Sequence, residues 1–314
     1  MKPLKREVFD VGQLMSQFPP VCESLRQRFV FELAGAISPA PGGQLHVARW
    51  SEAGHQEDVV GASTFRVEPR PFAYPKSAIE HEVHWHVSFA DPQLAQTGDP
   101  SIVEQDALQT AEHPALGSLH EALAAQRQPL QAGTSALATS PITITGVERR
   151  CAITCPPGHL LSQASARELR SATRILTSPT ASNILAMGAL PQRFGRYRLS
   201  EIPAILKVAM TSFNAARVES RRLDAAVSRT VIHTGFWGCG IFRGNCMLMT
   251  ILQALAADNV GVDLVFWAFD KAGARIARAG LTHYKSLASG RVSIPELMAE
   301  LEADGYGWGF AEAN

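Results

Sequence analysis

Short apolar, β-branched runs alternate with helical patterns along most of this chain, and that alternation restricts the fold to the α/β class. The runs are Leu45–Trp50, Val83–Phe89, Ile142–Val147, Asn183–Ala189, Thr230–His233 and Asp263–Phe269. Each reads as a buried strand. Glu201–Val218 puts Ile202, Ile205, Leu206, Ala209 and Phe213 on one helical stripe. Cys246–Ala257 does the same with Leu248, Ile251, Leu252 and Leu255. Ser293-Ile294-Pro295-Glu296 reads as a capping-box start for a helix through Leu301. A further helix is expected near Glu23–Ala36, and a turn at Pro39–Gly43. Glu68–Pro75 is proline-rich and reads as a connector, while Gln93–Pro100 and Gln126–Ser140 read as turn-like and mobile loops. This pattern predicts a sheet with helices on both faces, with ligands held where strand carboxyl ends lead into helices. There is no internal repeat or heptad pattern.

The formal net charge is zero and 46% of residues are hydrophobic. That composition suits a chain with a sizeable core, and it gives no reason to expect direct nucleic-acid binding or an anionic membrane partner. Lysine, arginine and glutamate interrupt the first residues, so no secretory segment is read there. No apolar run approaches the length of a membrane span. A cytoplasmic protein is the expectation. The five cysteines, Cys22, Cys151, Cys155, Cys239 and Cys246, are an odd and sparse set that does not suggest a disulfide framework or a zinc site.

One string carries most of the chemical information: His233-Thr234-Gly235-Phe236-Trp237-Gly238-Cys239-Gly240-Ile241-Phe242-Arg243-Gly244-Asn245. It follows an apolar strand and opens a helix. Glycines in that context permit tight turns and close backbone approach. Successive N–H groups can then cradle an anion, a phosphate above all, with the helix N-terminus behind. Trp237 and Phe242 offer faces for a base or ribose. The alternative is a glycine-rich turn whose aromatics belong to the core. P-loop and dinucleotide signatures do not fit, since the lysine of G-K-[ST] and the G-x-G-x-x-G spacing are both missing.

The string resembles the T-G-N-W-G-C-G-A-F-G-G-D signature of poly(ADP-ribose) glycohydrolases. Thr234, Gly235, Trp237, Gly238, Cys239, Gly240, Phe242 and Gly244 agree with it. Phe236, Ile241, Arg243 and Asn245 stand where that signature has Asn, Ala, Gly and Asp. Leu264–Asp270 is similar to the family's Y-F-T-F-G-D strand, Gly290–Ser293 to the start of its last helix, Ala186–Arg198 to its A-I-D-A-L segment and the basic stretch after it, and Ile142–Glu148 to its L-I-I-T-G-T-E strand. The likeness covers roughly residues 70–314. It implies a macrodomain-like mixed sheet sandwiched between helices over 71–314, with residues 1–70 as an N-terminal accessory region. It implies ADP-ribose or an ADP-ribosylated protein as partner and no cofactor or metal. The loop backbone from Gly235 to Gly240 would wrap the diphosphate and Phe242 would pack near the reacting ribose. Thr234, Trp237, Cys239 and Arg243 complete that set, Arg243 as a charge near phosphate.

The same resemblance identifies the catalytic segment and shows it altered. Ser88-Phe89-Ala90-Asp91 stands for the family's D-F-A-N, Ala95-Gln96-Thr97 for its G-G-G, and Gln105-Asp106-Ala107 for its Q-E-E. Asp91 and Gln105 would contact the ligand. The general acid of the family falls on Ala107, which cannot transfer a proton; loss of such a group removes on the order of 10²–10⁴ in rate. Three readings stay open. The chain binds ADP-ribose without cleaving it, or Asp106, Glu104 or Glu112 substitutes as the catalytic carboxylate, or Ala107 replaces a glutamate by design, which leaves the lost glycines unexplained. No tyrosine in Cys151–Leu161 answers to the family's active-site tyrosine. A scaffold that has lost nucleotide binding is the reading outside enzymes and readers.

Three further patterns have plainer explanations. His84 and His86 share a strand face with Glu82, but a third metal ligand is not evident, and hydrogen-bonded strand histidines are the simpler reading. Arg167, Arg170 and Arg174 fall on one side of a helix and read as a solvated face. Glu112-His113-Pro114 offers a His–carboxylate pair for acid–base work, but a helix end before proline is the plainer reading.

Overall fold

The computed structural model describes residues 1–21, 25–35, 42–51, 63–75, 79–89, 105–126, 140–154, 165–190, 193–240, 242–289 and 293–309. The strands are β1 (Pro3–Asp10), β2 (Gln44–Trp50), β3 (Phe65–Glu68), β4 (Glu82–Ser88), β5 (Ile142–Ile153), β6 (Thr173–Ala186), β7 (Arg229–Gly235) and β8 (Asp263–Trp267). They form one eight-stranded sheet in the order β1-β2-β5-β6-β4-β7-β8-β3. From β6 to β3 neighbouring strands are parallel; β5, β2 and β1 continue the sheet antiparallel. The sheet is therefore mixed, as expected. Residues 1–70, expected as an accessory region, contribute β1, β2 and β3 to this same sheet.

Helices cover both faces because alternate strand residues point to opposite sides. Val83, Trp85 and Val87 of β4, Leu185 of β6, Ile232 of β7 and Leu264 of β8 face α6 (Glu201–Leu223), α7 (Cys246–Val260) and α9 (Ile294–Ala303) in the main core. Ile184 and Ala186 point the other way, onto α1 (Val11–Gln17) and α4 (Pro114–Ala125). Two short helices, α2 (Leu25–Gly35) and α3 (Gln105–Glu112), pack near α5 (Ala166–Ala172) in a smaller cluster with Cys151. The last, α8 (Lys271–Ala288), buries Ala274 and Ala277 beside Phe266. Tryptophans buried in the sheet satisfy their indole N–H groups: Trp85 donates to Ser220 at 2.8 Å and Trp50 to Thr143 at 2.8 Å. A buried donor left unpaired would cost about 1–3 kcal/mol.

Helix ends follow the expected chemistry. Ser293 and Glu296 form the capping box at α9. Asn245 caps α7 by accepting from the Leu248 N–H at 3.0 Å, and Gly261 ends it in the left-handed conformation. The arginine stripe is corrected: α5 stops at Ala172 and Arg174 lies on β6, while Arg170 sits over the Phe29 ring. Proline starts α4 at Pro114, directly after α3 ends at Glu112. The expected Gln93–Pro100 loop and residues 127–139 lie outside the described residues. No helix among the described residues is long and apolar enough to cross a membrane.

Candidate functional site: the loop between β7 and α7

The carboxyl ends of β4, β7 and β8 meet at Gly235. A Cβ there would stand 2.7 Å from the Trp267 carbonyl oxygen and 3.4 Å from the Phe89 ring. Only glycine fits so close an approach. Behind it, Thr234 is fully buried and donates to Gln253 of α7 at 2.5 Å. Gln253 in turn donates to the Gly235 carbonyl at 3.0 Å. One glutamine thus fastens the end of the strand to the helix that follows.

From Gly235 the loop folds on itself. Trp237 N–H donates to the Gly235 carbonyl at 2.8 Å, Cys239 N–H to Phe236 at 3.0 Å, Arg243 N–H to Gly240 at 3.0 Å and Gly244 N–H to Gly238 at 2.8 Å. Gly238 takes φ +74°. The N–H groups of Phe236, Gly238, Gly240 and Phe242 make no hydrogen bond with another described residue. Among the described residues, every second amide of the loop is therefore without a partner, ahead of the N-terminus of α7. That is the arrangement by which backbone binds an anion.

Side chains of the same loop have other duties. Trp237 is 1% exposed and donates to the Met187 carbonyl at 3.2 Å. The expected stacking face for a base is corrected: the indole belongs to the core. We expect Trp237→Ala to cost about 3–5 kcal/mol in urea unfolding; a change under 1 kcal/mol would contradict the buried placement. Cys239 is buried as well. Phe242 is half-buried against the main core, and Gly240 and Arg243 are exposed. Arg243 takes φ +50° and Phe269, after β8, φ +67°. At both places the family strings carry glycine, which adopts that backbone without a Cβ penalty of roughly 1–2 kcal/mol. Arg243→Gly is accordingly expected to raise stability by up to about 1 kcal/mol, read as a shifted urea midpoint.

A clasp from two distant segments holds the loop. Tyr197 stacks on Trp308 with ring centroids 4.3 Å apart. Its hydroxyl accepts from the Asn245 N–H at 2.9 Å, at the start of α7. Gly309 N–H donates to Arg243 at 2.7 Å, Trp308 N–H to Gly195 at 2.8 Å, and the Asn245 side chain to Gly307 at 3.3 Å. Burial pushes the Tyr197 phenol up, so it stays protonated. Sequence reading gave Tyr197 no role; its only signal was membership of the basic stretch after Ala186.

The segment aligned with the family's catalytic carboxylates is only partly described. Asp91, Ala95–Thr97 and Glu104 lie outside the described residues. Gln105 binds the end of β4, donating to the Val87 carbonyl at 3.0 Å and accepting from the Phe89 N–H at 3.2 Å. This places the first turn of α3 at the same sheet edge as Gly235. Asp106 is half-buried and accepts from the Ala107 N–H at 2.9 Å. Glu112 is turned away from this edge. It takes Arg149 at 2.8 Å and the Ile153 N–H at 2.6 Å, both on β5, about 10 Å along α3 from Gln105. Burial raises its pKa despite Arg149. Both carboxylate oxygens are committed, so Glu112 is corrected from catalytic candidate to structural partner.

On the far face of β4 and β7, the histidines form a directed chain. Trp267 N–H donates to His233 Nδ1 at 3.1 Å, which leaves the proton of neutral His233 on Nε2. His233 Nε2 lies 2.9 Å from His84 Nδ1, and His84 Nε2 lies 3.2 Å from Glu82. Each ring donates onward, ending on the carboxylate. Burial pushes His233 down to about 3, so it is neutral. No group of three His, Cys, Asp or Glu that could hold a metal occurs among the described residues.

The loop, its strand and its helix fall inside a match to a known family model. Residues 138–275 match the model described as Poly (ADP-ribose) glycohydrolase (PARG), Macro domain fold. This region is similar to the PARG family, whose model carries the macrodomain fold. The PARG match stops short of α3 on its N-terminal side, so Gln105, Asp106 and Ala107 lie outside it. Among solved structures, the chain is similar to poly(ADP-ribose) glycohydrolase from Thermomonospora curvata at 14% identity and TM-score 0.43, covering 89% of this chain and 85% of that one. A complex of the same enzyme with the inhibitor ADP-HPD is similar at 15% identity and TM-score 0.43, over 88% and 84% of the two chains. Poly(ADP-ribose) glycohydrolase from Deinococcus radiodurans in complex with ADP-ribose is similar at 13% identity and TM-score 0.43, over 88% and 94%. No curated protein sequence matches.

Proposed function

We propose that this chain recognises ADP-ribose, free or on a protein, at the loop between β7 and α7. The observation that carries the reading is the set of unspent amides at Phe236, Gly238, Gly240 and Phe242 ahead of α7. A diphosphate would take those N–H groups, helped by the field of the helix end. The PARG-family match spans that loop and supports the nucleotide sugar as the source of the diphosphate.

Glycosidic hydrolysis requires in addition a proton for the leaving oxygen. Ala107 offers none, Glu112 is committed to Arg149, and the Asp106 carboxylate is engaged by its own helix amide. Recognition without efficient turnover is therefore the reading these residues favour. Hydrolysis through Asp106 or Glu104 is the second reading, favoured by the anchoring of Gln105 at the end of β4.

Titration calorimetry with ADP-ribose is expected to show saturable binding, and no heat at millimolar ligand would sink the proposal. Incubation with ADP-ribosylated protein separates the two readings. Ala107→Glu is expected to raise the release of ADP-ribose by on the order of 10²-fold or more over the unaltered chain. Release by the unaltered chain at a rate that Ala107→Glu does not increase would instead point to Asp106 or Glu104.

A further inference from the structure

The far face of β4 holds one more histidine, and it takes no part in the ligand loop. His86 is 4% exposed, with its ring centroid 4.6 Å from that of His233 and 4.7 Å from that of Tyr74. His84, His113 and His233 each engage both ring nitrogens. Neither nitrogen of His86 has a hydrogen-bond partner among the described residues, and the nearby Asn183 backbone does not meet the ring in hydrogen-bond geometry. The reading of hydrogen-bonded strand histidines thus holds for His84 and is corrected at His86. A buried donor and acceptor without partners are costly, and such an exception asks for a ligand or another reason.

The strands supply a place for a ligand. β4 begins at Glu82 and β6 at Thr173, yet the two pair only over His86–Ser88 and Ile184–Ala186. Ahead of that short ladder they part, bridged by the Asn183 side-chain amide, which donates to the His84 carbonyl at 3.0 Å. A cavity of about 650 Å³ opens in the gap and reaches His86, with Tyr74 also on its wall. Volumes of this order hold a small organic ligand. Glu82, at the amino end of β4, lies roughly 20 Å along the strand from Ser88, near the edge where the ligand loop gathers.

The wall of this cleft selects against charge. Glu82 meets His84 at 3.2 Å and Arg229 at 3.4 Å, and Asp224 pairs with His81 at 2.9 Å. Both carboxylates are compensated, so neither calls for a cation. No lysine or arginine lines the cleft among the described residues, so a phosphate would meet carboxylates with no counter-charge of its own. A metal does not fit either: the facing nitrogens of His233 and His84 share one hydrogen bond, and no group of three ligands occurs among the described residues. The remaining groups exchange hydrogen bonds with hydroxyls. Burial keeps His86 neutral, with one donor and one acceptor nitrogen. Ser182 gives its proton to His113, which leaves its oxygen to accept, and Thr180 adds a second hydroxyl.

We infer that the cleft is a second binding site, for an uncharged sugar, free or within a nucleoside, whose hydroxyl groups satisfy the His86 ring. The inference stands apart from recognition of ADP-ribose at the loop. The test titrates the full chain with D-ribose and with adenosine, following the histidine ring nitrogens by NMR, with His86→Phe to identify the His86 signals. Saturable movement of those signals is expected with at least one of the two compounds, and saturating ADP-ribose should leave it unchanged. His86→Phe keeps an aromatic ring in place and removes both nitrogens. It should unfold at the same or a higher urea concentration and bind the sugar about tenfold more weakly, as the loss of one hydrogen bond implies. Thr180→Val, at a half-buried position of the wall, should also weaken binding, and it decides the matter if His86→Phe does not fold. His86 signals unmoved by either compound at millimolar concentration, or moved only by spermidine or inorganic phosphate, would overturn the inference. Displacement of the sugar by ADP-ribose would overturn it as well, since the sugar would then lie at the loop. Failure of ADP-ribose itself to bind would sink the loop reading and leave this test intact.

Discussion

Lowering the pH from 6.5 to 4.5 is expected to remove about 5 kcal/mol of folding stability, through two histidines alone. His113 and His233 are both fully buried. His113 Nδ1 lies 2.8 Å from the Gln109 carbonyl and must donate to it, so Nε2 accepts from the Ser182 hydroxyl at 2.9 Å. His233 Nδ1 accepts from Trp267. Each ring has one nitrogen that faces a donor, and a proton added there would meet that donor. Burial holds both rings down, each to about 3. These are depressed histidines, so their contribution is whole above the unfolded value near 6.5 and is lost as pH falls toward the folded value. The unfolded chain binds a proton that the folded chain refuses, at about 1.4 kcal/mol per pH unit for each ring. Because the slope is only half developed at 6.5, two rings over these two units give about 5 kcal/mol, comparable with the whole stability of many domains. Glu219, held low by Arg6 and Arg222, works in the same direction, while Glu112, raised by burial, opposes it. Urea midpoints measured from pH 7 to 4.5 should fall steeply. His86 and His120, also held low by burial, add to the fall, so His113→Gln should lose roughly a quarter of that slope whatever its stability at pH 7. An unaltered slope in this variant, or a flat profile in the parent chain, would remove His113 from the account.

What the sequence disclosed depended on how strongly each element's burial was written in apolar residues. The centre of the sheet was legible because β4, β7 and β8 are largely buried and rich in β-branched and aromatic residues. Two strands reach further than their runs. β6 begins at Thr173, ten residues before the apolar Asn183–Ala189 run, and pairs there with an extension of β5 through register shifts. That stretch is largely exposed and polar, so periodicity gave no warning, and Arg174 was placed on a helix for the same reason. β1 was missed because an edge strand with alternating half-buried charges resembles a polar leader. α8 was missed because its buried face is alanine and glycine, at Ala274, Ala277 and Gly280, which bury little apolar area yet allow close packing. At the site, the backbone was easier to read than the side chains. Strand, glycines and capped helix followed from local sequence. Whether Trp237 faced a ligand or the core did not, because an aromatic residue suits both. Tyr197 reaches its partner Asn245 from 48 residues away, and nothing local announces such a bond.

Gly244→Ala is expected to abolish ADP-ribose binding at concentrations that saturate the unaltered chain. A Cβ at this position would lie 2.7 Å from the Gly238 carbonyl oxygen and 3.2 Å from its carbon. Both are backbone atoms of the same closed loop, so no side chain can rotate out of the way. Tyr197 blocks the other direction, its hydroxyl 3.5 Å from the added carbon. The strain is relieved only by breaking the bond from Gly244 N–H to Gly238, and with it the geometry that leaves the Gly238 and Gly240 amides free. Loss of two hydrogen bonds to a charged diphosphate, at about 1.5–3 kcal/mol each, weakens binding on the order of 10²-fold or more. The cost to folding should be smaller, about 1–3 kcal/mol for an overpacked methyl, since Gln253 and Trp237 still anchor the loop at its strand end. Gly42→Ala is the matched control, because nothing lies within 4 Å of a Cβ there. Calorimetric titration beside urea unfolding distinguishes the outcomes. A Gly244→Ala chain that unfolds like the parent and binds like the parent would show that the closed loop does not set the phosphate-binding amides, and the recognition proposal would lose its physical basis.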